Sequence, residues 1–210
     1  GGAVTQGAGS VLTIGDTTSV TTGNAAITLE GAGTNNFVGA VTLTNTGAFD
    51  VSVSSNTALT LGAVSAGRNF SATTASSINV TNTINTLAEA NGGTVTLNGG
   101  TGLTIGALGD ITSDGAVNLT SAAGISTAGD VTTTNDVVNY NSATTLTDNV
   151  LVNTGAGIGD INFASTLDGA HTLGLTAGTG SITFTGAVGD TITLASLTVV
   201  SAGDISIGNA

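Results

Sequence analysis

A short phrase, apolar-Thr-apolar and often closed by glycine, returns along the whole chain as Leu12-Thr13-Ile14-Gly15, Leu59-Thr60-Leu61-Gly62 and Leu103-Thr104-Ile105-Gly106. A strand-turn unit this small cannot bury its own apolar face, so it has to stack on copies of itself. The copies start at 12, 59 and 103, intervals of 59 − 12 = 47 and 103 − 59 = 44 residues. Gly159-Asp160-Ile161 and Gly203-Asp204-Ile205 are 203 − 159 = 44 apart, and the Gly-Ala-Val copies at Gly39 and Gly62 differ by 62 − 39 = 23. Ile27-Thr28-Leu29-Glu30-Gly31 returns as Val95-Thr96-Leu97-Asn98-Gly99 and as Ile182-Thr183-Phe184-Thr185-Gly186. The unit is half of 44, roughly 22 residues, inside the range expected for solenoids.

Each phrase alternates apolar and polar residues, the period of a strand with one buried face. The spacing predicts inward pairs at Leu12/Ile14, Ile27/Leu29, Val41/Leu43, Val51/Val53, Ile78/Val80, Val95/Leu97, Ile161/Phe163, Leu173/Leu175, Ile182/Phe184 and Ile205/Ile207. Thr and Ser between them point out. Gly, Asn, Asp and Ser separate the phrases and supply turn conformations.

Two all-β architectures meet this description: a right-handed parallel β-helix with coils of roughly 22 residues, and antiparallel β-sandwich repeats. Asn91-Gly92, Asn98-Gly99, Asp114-Gly115 and Asp168-Gly169 are candidate hairpin turns for the second. Composition favours the first. Sandwich cores usually hold a bulky aromatic, whereas this chain has no Trp, one Tyr and five Phe that are spread out. A narrow β-helix stacks small and medium aliphatics instead. Residues 1–210 then read as a single solenoid segment of a longer tandem array.

With no Met and no basic region followed by an apolar run at Gly1, the expectation is an excised internal segment or a mature fragment. No apolar run has the length of a membrane span. One Lys-or-Arg residue, Arg68, stands against thirteen acids, a formal charge of −12. Nucleic acid and anionic lipid both need clustered cations, so neither is expected as a partner. The absence of Cys excludes disulfides and thiolate metal sites. Disordered chains are poor in aliphatics, which this one alternates throughout.

The stretch from Gly129 to Ala210 carries Asp130-Val131-Thr132-Thr133, Asn139-Tyr140-Asn141-Ser142-Ala143, Asn153-Thr154-Gly155-Ala156-Gly157, Asp160-Ile161-Asn162-Phe163 and Leu194-Ala195-Ser196-Leu197-Thr198-Val199. It resembles the repeat region of filamentous haemagglutinin-like exoproteins and other giant repetitive bacterial surface adhesins. The resemblance implies a secreted β-helical shaft, extracellular or on the cell surface, that holds adhesive parts away from the cell.

Polysaccharide lyases and pectin hydrolases on β-helices set acids beside cations, and here Arg68 stands alone. Asp110 with Asp114, or Asp130 with Asp136, supply carboxylate pairs for glycoside hydrolysis. Acids in Gly-rich turns are more often turn formers, so no catalytic residue is named and the chain is not read as an enzyme. His171, the sole imidazole, reads as a surface or strand-edge residue. Glycine precedes Asp110, Asp130, Asp160, Asp190 and Asp204, as in secreted β-rolls that bind calcium, which makes these five the metal candidates and calcium the one ion left open. The calcium nonapeptide is absent, and the preferred reading has each Asp ending a turn.

Thr accounts for 41 residues, with Thr-x-Thr at Thr42/Thr44, Thr94/Thr96, Thr183/Thr185 and Thr191/Thr193. An ice-binding array would need one such pair per coil in strict register, and spans such as 95–130 are expected to break the order. Gly-Ala-Gly-Ile-Gly-Asp at 155–160 has no helix after it and reads as a turn. Asn69, Asn79 and Asn118 head glycan-acceptor triplets of a kind that chance supplies in this composition.

The sequence therefore reads as a non-catalytic adhesin shaft without a cofactor. Its partners would be neighbouring repeats or copies of itself, through end-to-end strand stacking. One alternative is a self-assembling extracellular filament or sheath subunit. The other is a carbohydrate-binding β-helix for host or matrix glycans, with Tyr140 as its aromatic platform.

Overall fold

The computed structural model describes residues 1–31, 35–87 and 93–208. Alternating phrases become strands of two to seven residues, and no helix occurs among the described residues. Every strand pair is parallel. The chain is a β-solenoid of about nine turns, so the antiparallel sandwich is corrected. The dipeptides that favoured it sit at or next to solenoid corners: Asp114-Gly115 turns between two faces, Asn98-Gly99 closes a strand, and Asp168 ends one with Gly169 directly after it. Asn91-Gly92 lies outside the described residues.

Each coil visits three faces in turn. Face A holds ten strands: Val4–Thr5, Ile27–Leu29, Val51–Ser55, Phe70–Thr74, Val95–Gly99, Val117–Ser121, Val138–Tyr140, Ile161–Phe163, Ser181–Phe184 and Asp204–Ile207. Face B runs through Ser77–Val80, Gly102–Ile105, Ile125–Thr127, Thr144–Leu146 and Leu167–Asp168, with the pair Thr13–Ile14 and Asn36–Phe37 at the same point of the earlier coils. Face C includes Thr18–Thr22, Val41–Asn45, Ile84–Asn85, Ile111–Ser113, Val131–Thr133, Val150–Asn153, Thr172–Thr176 and Ser196–Ser201. One strand, Leu59–Ser65, belongs to both B and C: Leu59 and Leu61 pair with Ile78 and Val80, and Val64 pairs with Ile84.

Register is the organising fact. On face A, Val4, Ile27, Val51, Phe70, Val95, Val117, Val138, Ile161, Ile182 and Ile205 are successive partners. The coil length read from them varies from 70 − 51 = 19 to 95 − 70 = 25 residues. The shortest coil is the one in which Leu59–Ser65 rounds the B-to-C corner without a turn. At about 4.8 Å per step, nine steps make a rod about 43 Å long.

Inside, the second column of face A runs Leu29, Val53, Ala72, Leu97, Leu119, Tyr140, Phe163, Phe184 and Ile207. Parallel in-register strands put like side chains over one another. Tyr140 and Phe163 accordingly stack at 4.7 Å between ring centroids and Phe163 and Phe184 at 5.4 Å, with planes 11° and 6° apart. The predicted inward residues are buried through the middle coils. Leu12 and Ile14 are half-buried, and Ile205 and Ile207 are exposed in the strand Asp204–Ile207, which among the described residues is paired on one side only.

Close coil approach explains two glycines. A Cβ on Gly67 would collide with the carbonyl oxygen of Gly47 on the coil beside it. Gly169 has φ +128°, and its Cβ would meet the backbone of Leu146.

Candidate functional site

The turn acids bind backbone. Asp110 Oδ1 accepts the N–H of Asp130 at 2.9 Å, and Asp130 Oδ1 accepts the N–H of Leu151 at 2.8 Å, each one coil further on. Asp160 Oδ1 accepts from Ser181 N–H at 2.7 Å, Asp168 Oδ1 from Thr191 and Ile192, and Asp50 Oδ1 from Asn69. Asparagines do the same work: Asn69 Oδ1 takes Thr94 N–H, Asn149 Oδ1 takes Thr172 N–H and Asn135 Oδ1 takes Gly157 N–H. A side-chain oxygen at the turn thus receives an N–H of the next coil, where the turn interrupts the ladder.

Of the five calcium candidates, Asp110 and Asp130 share one stack at the B-to-C corner. Asp160 lies at the C-to-A corner, Asp190 is exposed after the Val188 bridge, and Asp204 opens the last strand of face A. Among the described residues no three His, Cys, Asp or Glu side chains come together as a metal-holding group. The structure also pairs acids differently from the sequence reading. Thr134 Oγ1 donates to Asp114 Oδ1 at 2.6 Å one coil below, and the charge of Asp114 also acts on Asp136. Partial burial, and then the charge of Asp114, raise the Asp136 carboxyl above its ordinary range.

The C-to-A corner is held by buried hydroxyls. Thr22, Thr86, Ser113, Thr133 and Thr154 occupy the end of the face C strand in their coils, and each donates to a turn carbonyl. Thr154 Oγ1, for example, donates to Gly159 O at 2.6 Å. A hydroxyl there closes the corner that an aliphatic side chain would leave with an unsatisfied buried carbonyl. In these five coils the sequence carries the signal as Thr or Ser two residues after the final inward aliphatic of face C, Val20, Ile84, Ile111, Val131 and Val152; Asn45, Ala66 and Ala177 hold that place in other coils.

Tyr140 is only 1% exposed, so the aromatic platform proposed for sugar binding is corrected: its ring is part of the core stack. Burial, and then the charge of Asp130, raise its phenol far above the ordinary value, and its hydroxyl has no hydrogen-bond partner among the described residues. His171 lies half-buried just before Thr172 at the edge of a face C strand. Arg68 makes an exposed ion pair with Asp50 at 3.6 Å, worth little in water.

Outward-facing columns stay in register as well. On face A, Ser52, Ser71, Thr96, Asn118, Asn139, Asn162, Thr183 and Ser206 follow one another. Over 95–130 the Thr order does break, with Asn118 following Thr96, while the strand register holds; Asn139 Nδ2 donates to Asn118 Oδ1 and Asn162 Nδ2 to Asn139 Oδ1, both at 2.9 Å.

Charge is segregated by edge. Among the described residues, Asp16, Asp110, Asp130, Asp148 and Asp190 lie at the B-to-C corner, and Asp50, Asp114, Asp136 and Asp160 at the C-to-A corner. Among the described residues the A-to-B corner carries Glu30 as its one acid, with Gln6 and Val11 in the first coil and Gly, Ala, Ser, Thr and Asn in the later coils. The sequence hid this, because the acids recur along the chain and sort only once the coils are closed.

Comparison with protein-family models, with curated proteins and with solved structures returns no match for this chain.

Proposed function

We propose that this chain is a non-catalytic structural segment, the shaft of a secreted bacterial cell-surface adhesin. The observation that carries the reading is the coil-to-coil register, unbroken over ten strands of face A, in which the turn acids and asparagines serve as caps between coils. Such a rod gains length by adding coils and needs no pocket to do so. The resemblance of 129–210 to giant adhesin repeats supports the extracellular placement.

The partners in this reading are neighbouring repeats or a second copy. In the end coils, Val4, Leu197, Ile205 and Ile207 are exposed on columns that are buried elsewhere, which favours end-to-end stacking of another coil upon them. That observation also supports the second reading, a self-assembling filament or sheath subunit.

Antibodies against the purified chain test the shaft reading on intact producing cells. Immunogold label standing off the surface of unpermeabilised cells is the expected result. Label that appears only after permeabilisation would refute it, and continuous fibres of the purified chain would transfer the function to the filament.

A further inference from the structure

Among the described residues the two ends of the rod match column by column. Val4 and Ile205 are the first and last members of one inward column of face A, and Val20 and Val199 of one on face C. Every member between them is buried. At the ends, Val4 is 36%, Leu197 42% and Ile207 69% exposed. The first coil is also open: Val4, Leu12, Ile14, Val20 and Leu29 line an apolar groove of about 360 Å³. Thr18 lies in that groove, 8% exposed, and its hydroxyl has no partner among the described residues.

The backbone edges are complementary too. The N–H groups of Val4 and Gln6 donate to Ala26 and Thr28 of the second coil, so those of Ala3 and Thr5 point to the open side. Along face A an inward N–H donates forward, as Val117 does to Val137 and Val138 to Asp160, and at Ile205 that donor meets the opposite open side.

A separate sign comes from the column just before these residues. There Asp50 takes the N–H of Asn69, Asn69 that of Thr94, and Asp160 that of Ser181, each on the same column one coil further on. Asp204 holds that place in the last coil, and its carboxylate has no partner among the described residues. Continued into a second copy, the column supplies the N–H of Ala3.

We propose that the last coil of one copy stacks on the first coil of another and continues the solenoid in register. Val4 then lies over Ile205 and Val20 over Val199, Leu197 meets the groove at Thr18, and Asp204 accepts the Ala3 N–H. The contact joins unlike surfaces and does not close on itself, so it builds an open row. One coil cross-section is a small interface, and its dissociation constant should be on the order of 10–100 µM. The inference rests on the second-copy partner of the shaft reading and assigns that partner its contact.

Sedimentation velocity of the 210-residue chain from about 2 to 400 µM tests it. Monomers at the low end and rows of two or more copies at the high end are expected. Ile207→Asp blocks one end and Val4→Asp the other, both at exposed positions, and circular dichroism should be unchanged. Each variant alone should stay monomeric, and their equimolar mixture should stop at dimers, because each keeps the end that the other lacks. Asp204→Ala should weaken association about tenfold, and Asp204→Asn, which keeps an accepting oxygen as Asn69 does, should hold it near the parent's. A parent that is monomeric throughout, folded single variants that associate like the parent, a mixture that grows past dimers, or an Asp204→Ala chain as tight as the parent would each overturn the proposal. Monomers throughout would leave the surface-label test of the shaft standing, and label confined to permeabilised cells would leave the contact standing.

Discussion

The coil around Phe163 and the coil that ends at Ile207 use the same pattern of inward aliphatic and aromatic residues, yet their fates differ. Ile161 and Phe163 are 0% and 2% exposed, whereas Ile205 and Ile207, two coils later on the same columns, are 47% and 69% exposed. Strand content and alternation are alike in both. Burial in a solenoid is therefore a property of neighbours: a coil shields the coils beside it more than it shields itself. Position along the rod should decide what a substitution costs.

The sharpest way to break that comparison is Phe163→Ala. It removes the central ring between Tyr140 and Phe184 and should cost about 3–5 kcal/mol in urea unfolding. A loss below about 1 kcal/mol would mean that the aromatic column is loosely packed.

Thr154→Val asks whether the corner hydroxyls matter. It keeps the shape of a buried residue but leaves Gly159 O without its donor, for an expected loss of about 1–2 kcal/mol by the same measurement.

Ile207→Ala supplies the contrast. At a site 69% exposed, the truncation should cost about 0.5 kcal/mol or less. A cost equal to that of Phe163→Ala would show that the last coil is covered in solution, by another copy.

The smallest effect is expected at Asp136, whose carboxyl is raised by partial burial and by Asp114. A raised carboxyl binds its proton more tightly in the folded state, so its contribution is favourable below the ordinary carboxylate range and is lost as pH rises through it. Asp136→Asn should raise the melting temperature slightly at pH 7 and leave it unchanged in acid. A variant less stable than the parent at pH 7 would reverse that sign.

Much of this fold was legible in the sequence because period-2 alternation and a repeat near 22 residues both follow from one fact, the stacking of identical small units. Inward residues such as Val95/Leu97 and Ile182/Phe184 were readable on that basis. The fate of Ile205 and Ile207 was not, since alternation does not encode which coil is last. Tyr140 misled for a related reason: a lone tyrosine among polar neighbours looks like a platform until Phe163 and Phe184 are placed beside it by register.

The site residues were less legible still. The Gly-Asp turns were recognised as turns, but the N–H that Asp110, Asp130 and Asp160 take lies 20 or 21 residues on, and only coil closure reveals it.

The claim beneath every reading is the register of face A. Spin labels placed pairwise on its outward column, from Asn118 as the fixed site to Asn162, Thr183 and Ser206, measure it directly by pulsed electron paramagnetic resonance. The solenoid predicts distances that grow by about 4.8 Å with each added coil, from the second coil to the fourth. Distances that fail to rise in order, or that fold back as in antiparallel pairing, would contradict it.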